Sequence, residues 1–144
     1  MIGTGIEFRL VYCDEDIVEY RFTCSNGKFC GQTEAYLGHG DIFHLIEGLR
    51  EFPSKTGDSR KFELGNFDPT CAGGGMRLHF SRLDSAGHSA VDVELRTDGH
   101  RDAGIVQSVA MRIPIELASL DEFISELRAI ELNIGANAHL RMAR

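Results

Sequence analysis

Residues 76–95 read MRLHFSRLDSAGHSAVDVEL, and the segment 109–115 reads VAMRIPI. Three runs alternate apolar and polar residues here: Met76-Leu78-Phe80, Val91-Val93-Leu95 and Val109-Met111-Ile113-Ile115. Period-2 alternation marks strands with one buried and one wet face. With Asp84-Ser85-Ala86-Gly87 as the hairpin loop, Leu83 meets His88, Phe80 meets Val91, Leu78 meets Val93 and Met76 meets Leu95. On the opposite face His79 opposes Asp92 and Arg77 opposes Glu94. Such opposite-charge cross-strand pairs stabilise by roughly 0.2–1 kcal/mol each, and a one-residue slip would place every side chain on the wrong face. The third run pairs Val93 with Met111 and Asp92 with Arg112. Pro114 cannot donate to a ladder, which places it on an edge or at a strand end.

Upstream, Ile6, Phe8, Leu10 and Tyr12 alternate with polar neighbours as a first strand, and Cys13-Asp14-Glu15-Asp16 forms an acidic turn. Tyr20-Phe22-Cys24 and Phe29-Gly31-Thr33-Ala35-Leu37 make two more strands. Asn26-Gly27 between them predicts a type I′ hairpin with Cys24 opposite Phe29 and Phe22 covering Gly31. This geometry sends Cys24 and Cys30 to opposite faces. Cysteines 13, 24, 30 and 71 are therefore expected to be free thiols. After Gly38-His39-Gly40, Asp41 is positioned to cap a helix carrying Ile42, Leu45, Ile46 and Leu49, which Pro53 ends. Residues 53–75 are irregular, with a short strand expected within Lys61–Phe67 and a flexible approach through Gly73-Gly74-Gly75. Ser119-Leu120-Asp121-Glu122 reads as a capping box before a second helix with Leu120, Phe123, Ile124 and Leu127 on one stripe.

The expected architecture is one α+β domain over residues 1–135, with a frayed or weakly helical tail at 136–144. Its mostly antiparallel sheet has six to seven strands, in the order three strands, helix, a further short strand, three strands, helix. Both helices are expected on one face of that sheet. At 144 residues, such a domain buries roughly 70% of its unfolded surface. No apolar run approaches the roughly 20 residues that span a bilayer, and the N-terminus lacks the basic and apolar regions of a signal peptide. The expected location is cytoplasmic.

The formal net charge is -7, with 22 acidic against 15 basic residues. That argues against nucleic-acid and anionic-membrane binding, which require clustered Lys and Arg, and is compatible with a basic partner. The richest polar constellation is Arg77, His79, Asp92, Glu94 and Arg112 on the outer sheet face. His79 beside Asp92 has the composition of a base and its orienting acid, yet Ser81, two residues along the strand, is too far to complete a triad. His39, Asp41 and His44 do not share a helix face as metal ligands would, and the Gly73–Gly75 run precedes a strand, not the helix N-terminus a phosphate loop needs. No cofactor is expected, and the residues lean away from catalysis. Asp14, Glu15 and Asp16, with Glu19 nearby, form a second candidate partner-binding surface.

The strand–Asp84-Ser85-Ala86-Gly87-His88–Val91-x-Val93-x-Leu95 pattern, followed by Met111-x-Ile113-x-Ile115 and Leu120-x-x-Phe123-x-x-x-Leu127, resembles the small bacterial proteins grouped with WapI-type immunity proteins. The resemblance implies a non-enzymatic protein that neutralises a cognate toxin by binding it. It transfers no binding residues. The alternatives are a small-ligand-binding or catalytic α+β domain, and a homo-oligomer that covers its exposed sheet by self-association.

Overall fold

The computed structural model describes residues 3–101 and 103–144; Met1, Ile2 and Asp102 of the Thr97–Gly104 turn lie outside it. The strands are β1 (Gly5–Cys13), β2 (Val18–Ser25), β3 (Cys30–Leu37), β4 (Ser59–Gly65), β5 (Gly75–Arg82), β6 (Ser89–Arg96), β7 (Ser108–Ile115) and β8 (Asn137–Arg141). Helix α1 (Asp41–Gly48) follows β3, and α2 (Leu117–Ile130) follows β7. The class is α+β with antiparallel pairing throughout. No described helix is long and apolar enough to cross a membrane.

The register from Met76 to Ile115 is the one its alternation dictates. Met76 pairs with Leu95, Arg77 with Glu94, Leu78 with Val93, His79 with Asp92 and Phe80 with Val91. Leu83 N–H donates to His88 O at 2.7 Å, closing the loop. Asp92 pairs with Arg112 and Val93 with Met111, and β7, which holds Pro114, is an edge strand.

The single six- to seven-stranded sheet is corrected to two four-stranded sheets, in strand orders β3-β2-β1-β8 (sheet A) and β4-β5-β6-β7 (sheet B). Alternation shows that every strand has one apolar face, and two layers bury such faces against each other as well as one layer with helices does. The inner faces meet at Gly31. A β-carbon there would sit 2.6 Å from Val109 Cγ1 and 3.4 Å from Leu95 Cδ1. Helix α2 lies on sheet A, where the Phe123 and Phe8 rings meet edge-on at 5.3 Å. Helix α1 instead closes against sheet B, with Gly48 pressed on the Phe62 ring and Phe52 edge-on to Phe80 at 6.0 Å. The two helices therefore do not share one sheet face. One apolar cluster still runs through both sheets and both helices.

Other local expectations are overruled by tertiary partners. The 136–144 segment is not frayed or helical: β8 adds to β1, with Ala138 opposite Phe8 and Leu140 opposite Ile6, both fully buried. Asn26 builds a longer β2–β3 loop, its Oδ1 accepting from Lys28 N at 3.0 Å and Phe29 N at 2.9 Å. The register moves by two residues, so Cys24 faces Gly31 and Phe22 faces Thr33. A two-residue move preserves faces, and Cys24 remains buried while Cys30 is exposed. Phe29, however, leaves the core face and stands 60% exposed. Helix α2 begins before the expected capping box, because β7 ends at Ile115 and Glu116 turns the chain directly into it. Asp41 is the first residue of α1, not its cap, and its carboxylate accepts from Gly38 N at 2.8 Å.

The glycine run 73–75 is a packed junction and not a flexible approach. Gly74 N–H donates to Glu34 O at 2.8 Å, tying the start of sheet B to the edge of sheet A. Beside it, the buried Thr33 hydroxyl donates to Arg96 O at 2.8 Å. No β-carbon fits at Gly74 between Thr33 Oγ1, Arg96 O and Glu34 O.

Candidate functional site

Sheet B presents an outer face of charged rows. Lys61, His79, Asp92 and Arg112 lie across the four strands in one row, and Glu63, Arg77, Glu94 and Ala110 in the next. All of them except Arg112 line an open trough of about 740 Å³. The five residues singled out from the sequence, Arg77, His79, Asp92, Glu94 and Arg112, are thus brought together. They are also largely occupied with one another. Arg112 forks onto Asp92, with Nε to Oδ1 at 2.7 Å and Nη2 to Oδ2 at 3.0 Å. This hydrogen bonding holds the Asp92 carboxyl below the usual carboxylate range. Arg77 donates Nε to Glu63 Oε1 at 2.8 Å and Nη1 to Glu94 Oε1 at 3.4 Å, with its guanidinium 3.9 Å from the Phe67 ring centroid. The hydrogen bond it donates to Glu63 is the main reason the Arg77 pKa is raised. The three cations of the two rows, Lys61, Arg77 and Arg112, balance their three carboxylates, Glu63, Asp92 and Glu94.

One residue of this face was not found in the sequence. Ser59 on β4 places its Oγ 2.6 Å from His79 Nε2. The signal was present as the polar positions Ser59, Lys61 and Glu63, alternating with Phe62 and Leu64. Its use required the β4–β5 register, in which Ser59 opposes Ser81 and reaches His79 on the diagonal. A hydroxyl and an imidazole at this distance form the first half of a nucleophilic triad. The second half is missing among the described residues: no hydrogen bond joins His79 to Asp92, and Arg112 occupies both Asp92 oxygens. The imidazole is therefore not oriented as a general base by a carboxylate, and Ser59 is exposed on an open face.

The acidic turn is a second surface, on sheet A, and none of Asp14, Glu15 and Asp16 lines the sheet B trough. Asp14 organises the turn, its Oδ1 accepting from Asp16 N at 2.8 Å and Ile17 N at 2.9 Å, and its Oδ2 from Tyr12 OH at 2.8 Å. The backbone bond from Ile17, then those from Asp16 and Tyr12, hold the Asp14 pKa down. The same Asp14 pushes the Tyr12 phenol up. Tyr12 does not continue the core face as its alternation suggests. A register shift between Leu10 and Tyr12 pairs Tyr12 with Glu19 and turns it outward, the effect a bulge has on the side chain beyond it.

Two backbone bonds, Gly135 N to Leu10 O at 2.8 Å and Leu10 N to Ala136 O at 3.0 Å, hold the α2–β8 connection beside this turn. Tyr12, Leu132 and Ile134 in these two segments are 45%, 59% and 62% exposed. Glu15, Asp16 and Glu131, in the same two segments, are exposed and form no ion pair among the described residues. Glu19, in contrast, is neutralised by Arg101 at 3.1 Å. Arg101 also reaches Glu34, Tyr36 OH and Asp98, fastening the β6–β7 loop to sheet A.

No protein-family model, curated protein or solved structure matches the chain.

Proposed function

We propose that the chain is a non-enzymatic protein-binding domain whose partner is basic, and that it acts in the manner of an immunity protein by covering the surface of a cognate toxin domain. The observation that carries this reading is the exposure of Tyr12, Leu132 and Ile134 in two segments tied together at Leu10, with Glu15, Asp16 and Glu131 of the same segments exposed and without an ion pair among the described residues. Apolar anchors inside a charged rim are the composition of a protein–protein hot spot, and acids in the rim speed and select a basic partner. The net charge of -7 supports the same partner chemistry. The sheet B face, balanced in charge and internally paired, supports it less.

Co-expression with a basic toxin domain encoded beside its gene tests the proposal. Wild-type chain is expected to restore growth and to co-purify with the toxin. The double variant Leu132→Asp, Ile134→Asp should lose both while keeping its circular-dichroism spectrum. Absence of binding and protection by the wild-type chain overturns the reading. Full protection by the double variant moves the interface elsewhere.

A further inference from the structure

The outer face of sheet A sets two arginines side by side. Arg9 on β1 and Arg21 on β2 are directly opposed in the ladder, and like charges in that position oppose strand pairing. Each arginine has a carboxylate within ion-pair distance that accepts no hydrogen bond from it. Glu7 and Glu34 each stand 3.7 Å from a guanidinium nitrogen, beyond hydrogen-bond reach. Both have shorter bonds elsewhere, Glu7 to Asn137 Nδ2 at 2.8 Å and Glu34 to Arg101 Nη1 at 3.2 Å. Arg9 gives one donor to Gly135 O at 3.0 Å. Arg21 makes no side-chain hydrogen bond among the described residues, and its Nε is buried without an acceptor. A buried donor of a charged group left unpaired is rare in a folded protein and calls for an explanation.

The same face forms a trough of about 620 Å³ whose lining includes Arg9, Arg21, Thr23, Ser25, Gln32 and His139. The next row of the sheet, beside the arginines, carries His139, Glu7, Thr23 and Gln32. A pair of guanidinium forks thus lies next to a hydroxyl and an amide. Guanidinium forks match the two-oxygen edge of a carboxylate or phosphate, and the match is bidentate and charge-assisted. In a chain of net charge -7, solubility does not account for two cations held together.

We propose that this trough is a binding site for a small ligand bearing an oxyanion, a phosphate or carboxylate group, held between Arg9 and Arg21, with Thr23 and Gln32 contacting the rest of the molecule. The site is built from different side chains than the acidic cluster and takes the opposite charge, so its test is read independently of that cluster.

The test is a titration of the purified chain with sodium phosphate and, separately, sodium acetate at matched ionic strength, following arginine Nε–Hε resonances by NMR. One of the anions should shift the Arg21 resonance saturably at millimolar concentration, and the arm that saturates identifies the group. Arg21→Gln should weaken binding at least tenfold and Arg21→Lys, which keeps charge but loses the fork, by less. Arg112→Gln on sheet B should leave it unchanged. Should Arg21→Gln fail to fold, Arg9→Gln and Gln32→Ala provide the same comparison. Linear, non-saturating shifts with both anions, or equal weakening by Arg112→Gln, overturn the proposal.

Discussion

Gly74 donates its backbone N–H to the carbonyl of Glu34 at 2.8 Å, and this bond joins the two sheets at a point where no side chain fits. The contact explains a glycine run that carries no phosphate-binding chemistry. Glycine is required because the backbone of one sheet approaches the carbonyls of the other directly.

Gly74→Ala is accordingly expected to destabilise the fold by about 1–3 kcal/mol, the range of overpacking changes, because the atoms its β-carbon meets include two backbone carbonyls. Urea unfolding followed by circular dichroism would show a lower midpoint at unchanged slope. An unchanged midpoint would mean that the sheets separate at no energetic loss.

Leu140 tests the corrected C-terminus. Its side chain is fully buried opposite Ile6, so Leu140→Ala should lose about 2–5 kcal/mol, as core truncations do. A frayed tail would lose nothing. Thermal unfolding of this single variant distinguishes the two.

Asp58 links stability to pH. Its carboxyl is held at about 2, first by Arg60 hydrogen bonding and then by the Ser54 backbone N–H. Arg60 also donates to Gly48 O at 3.2 Å and to Arg50 O, so the ion pair clips β4 to the end of α1. The folded value lies below the unfolded reference near 3.9. The contribution, on the order of 1–2 kcal/mol, is therefore complete above about pH 4 and is lost as pH falls toward 2. Asp58→Asn should lower stability at pH 7 and flatten the acid limb between pH 4 and 2, read from unfolding midpoints across that window.

Ser59 should be unreactive despite its 2.6 Å approach to His79. Incubation with a fluorophosphonate is expected to leave the intact mass unchanged, because no carboxylate orients the imidazole. A stoichiometric adduct on Ser59, lost in His79→Gln, would establish a nucleophile and redirect attention to the sheet B trough.

Much of this architecture is written locally. From Met76 to Ile115 the alternation, the Asp84–Gly87 loop and the charge pairs specify the pairing of β5, β6 and β7 residue by residue, since hairpin neighbours share a short loop and matched faces. The buried stripe Leu120, Phe123, Leu127 and Ile130 of α2 follows from helical spacing in the same way. The outer-face ion pairs of Arg77 and Arg112 came with that register.

What the tertiary structure alone decided are relationships between distant segments. The pairing of β8 with β1 joins residues more than a hundred positions apart, and a five-residue strand has too little pattern to announce a partner. Alternation is identical whether strands belong to one sheet or two, so the division into sheets A and B was settled by packing at Gly31 and Gly74. The same holds for the surfaces: the bulge that turns Tyr12 outward, the diagonal from Ser59 to His79 and the opposition of Arg9 and Arg21 all depend on register between strands. Side-chain periodicity assigns each residue a face; only the assembled sheets assign it neighbours, because faces are local geometry and neighbours are set by burying the core.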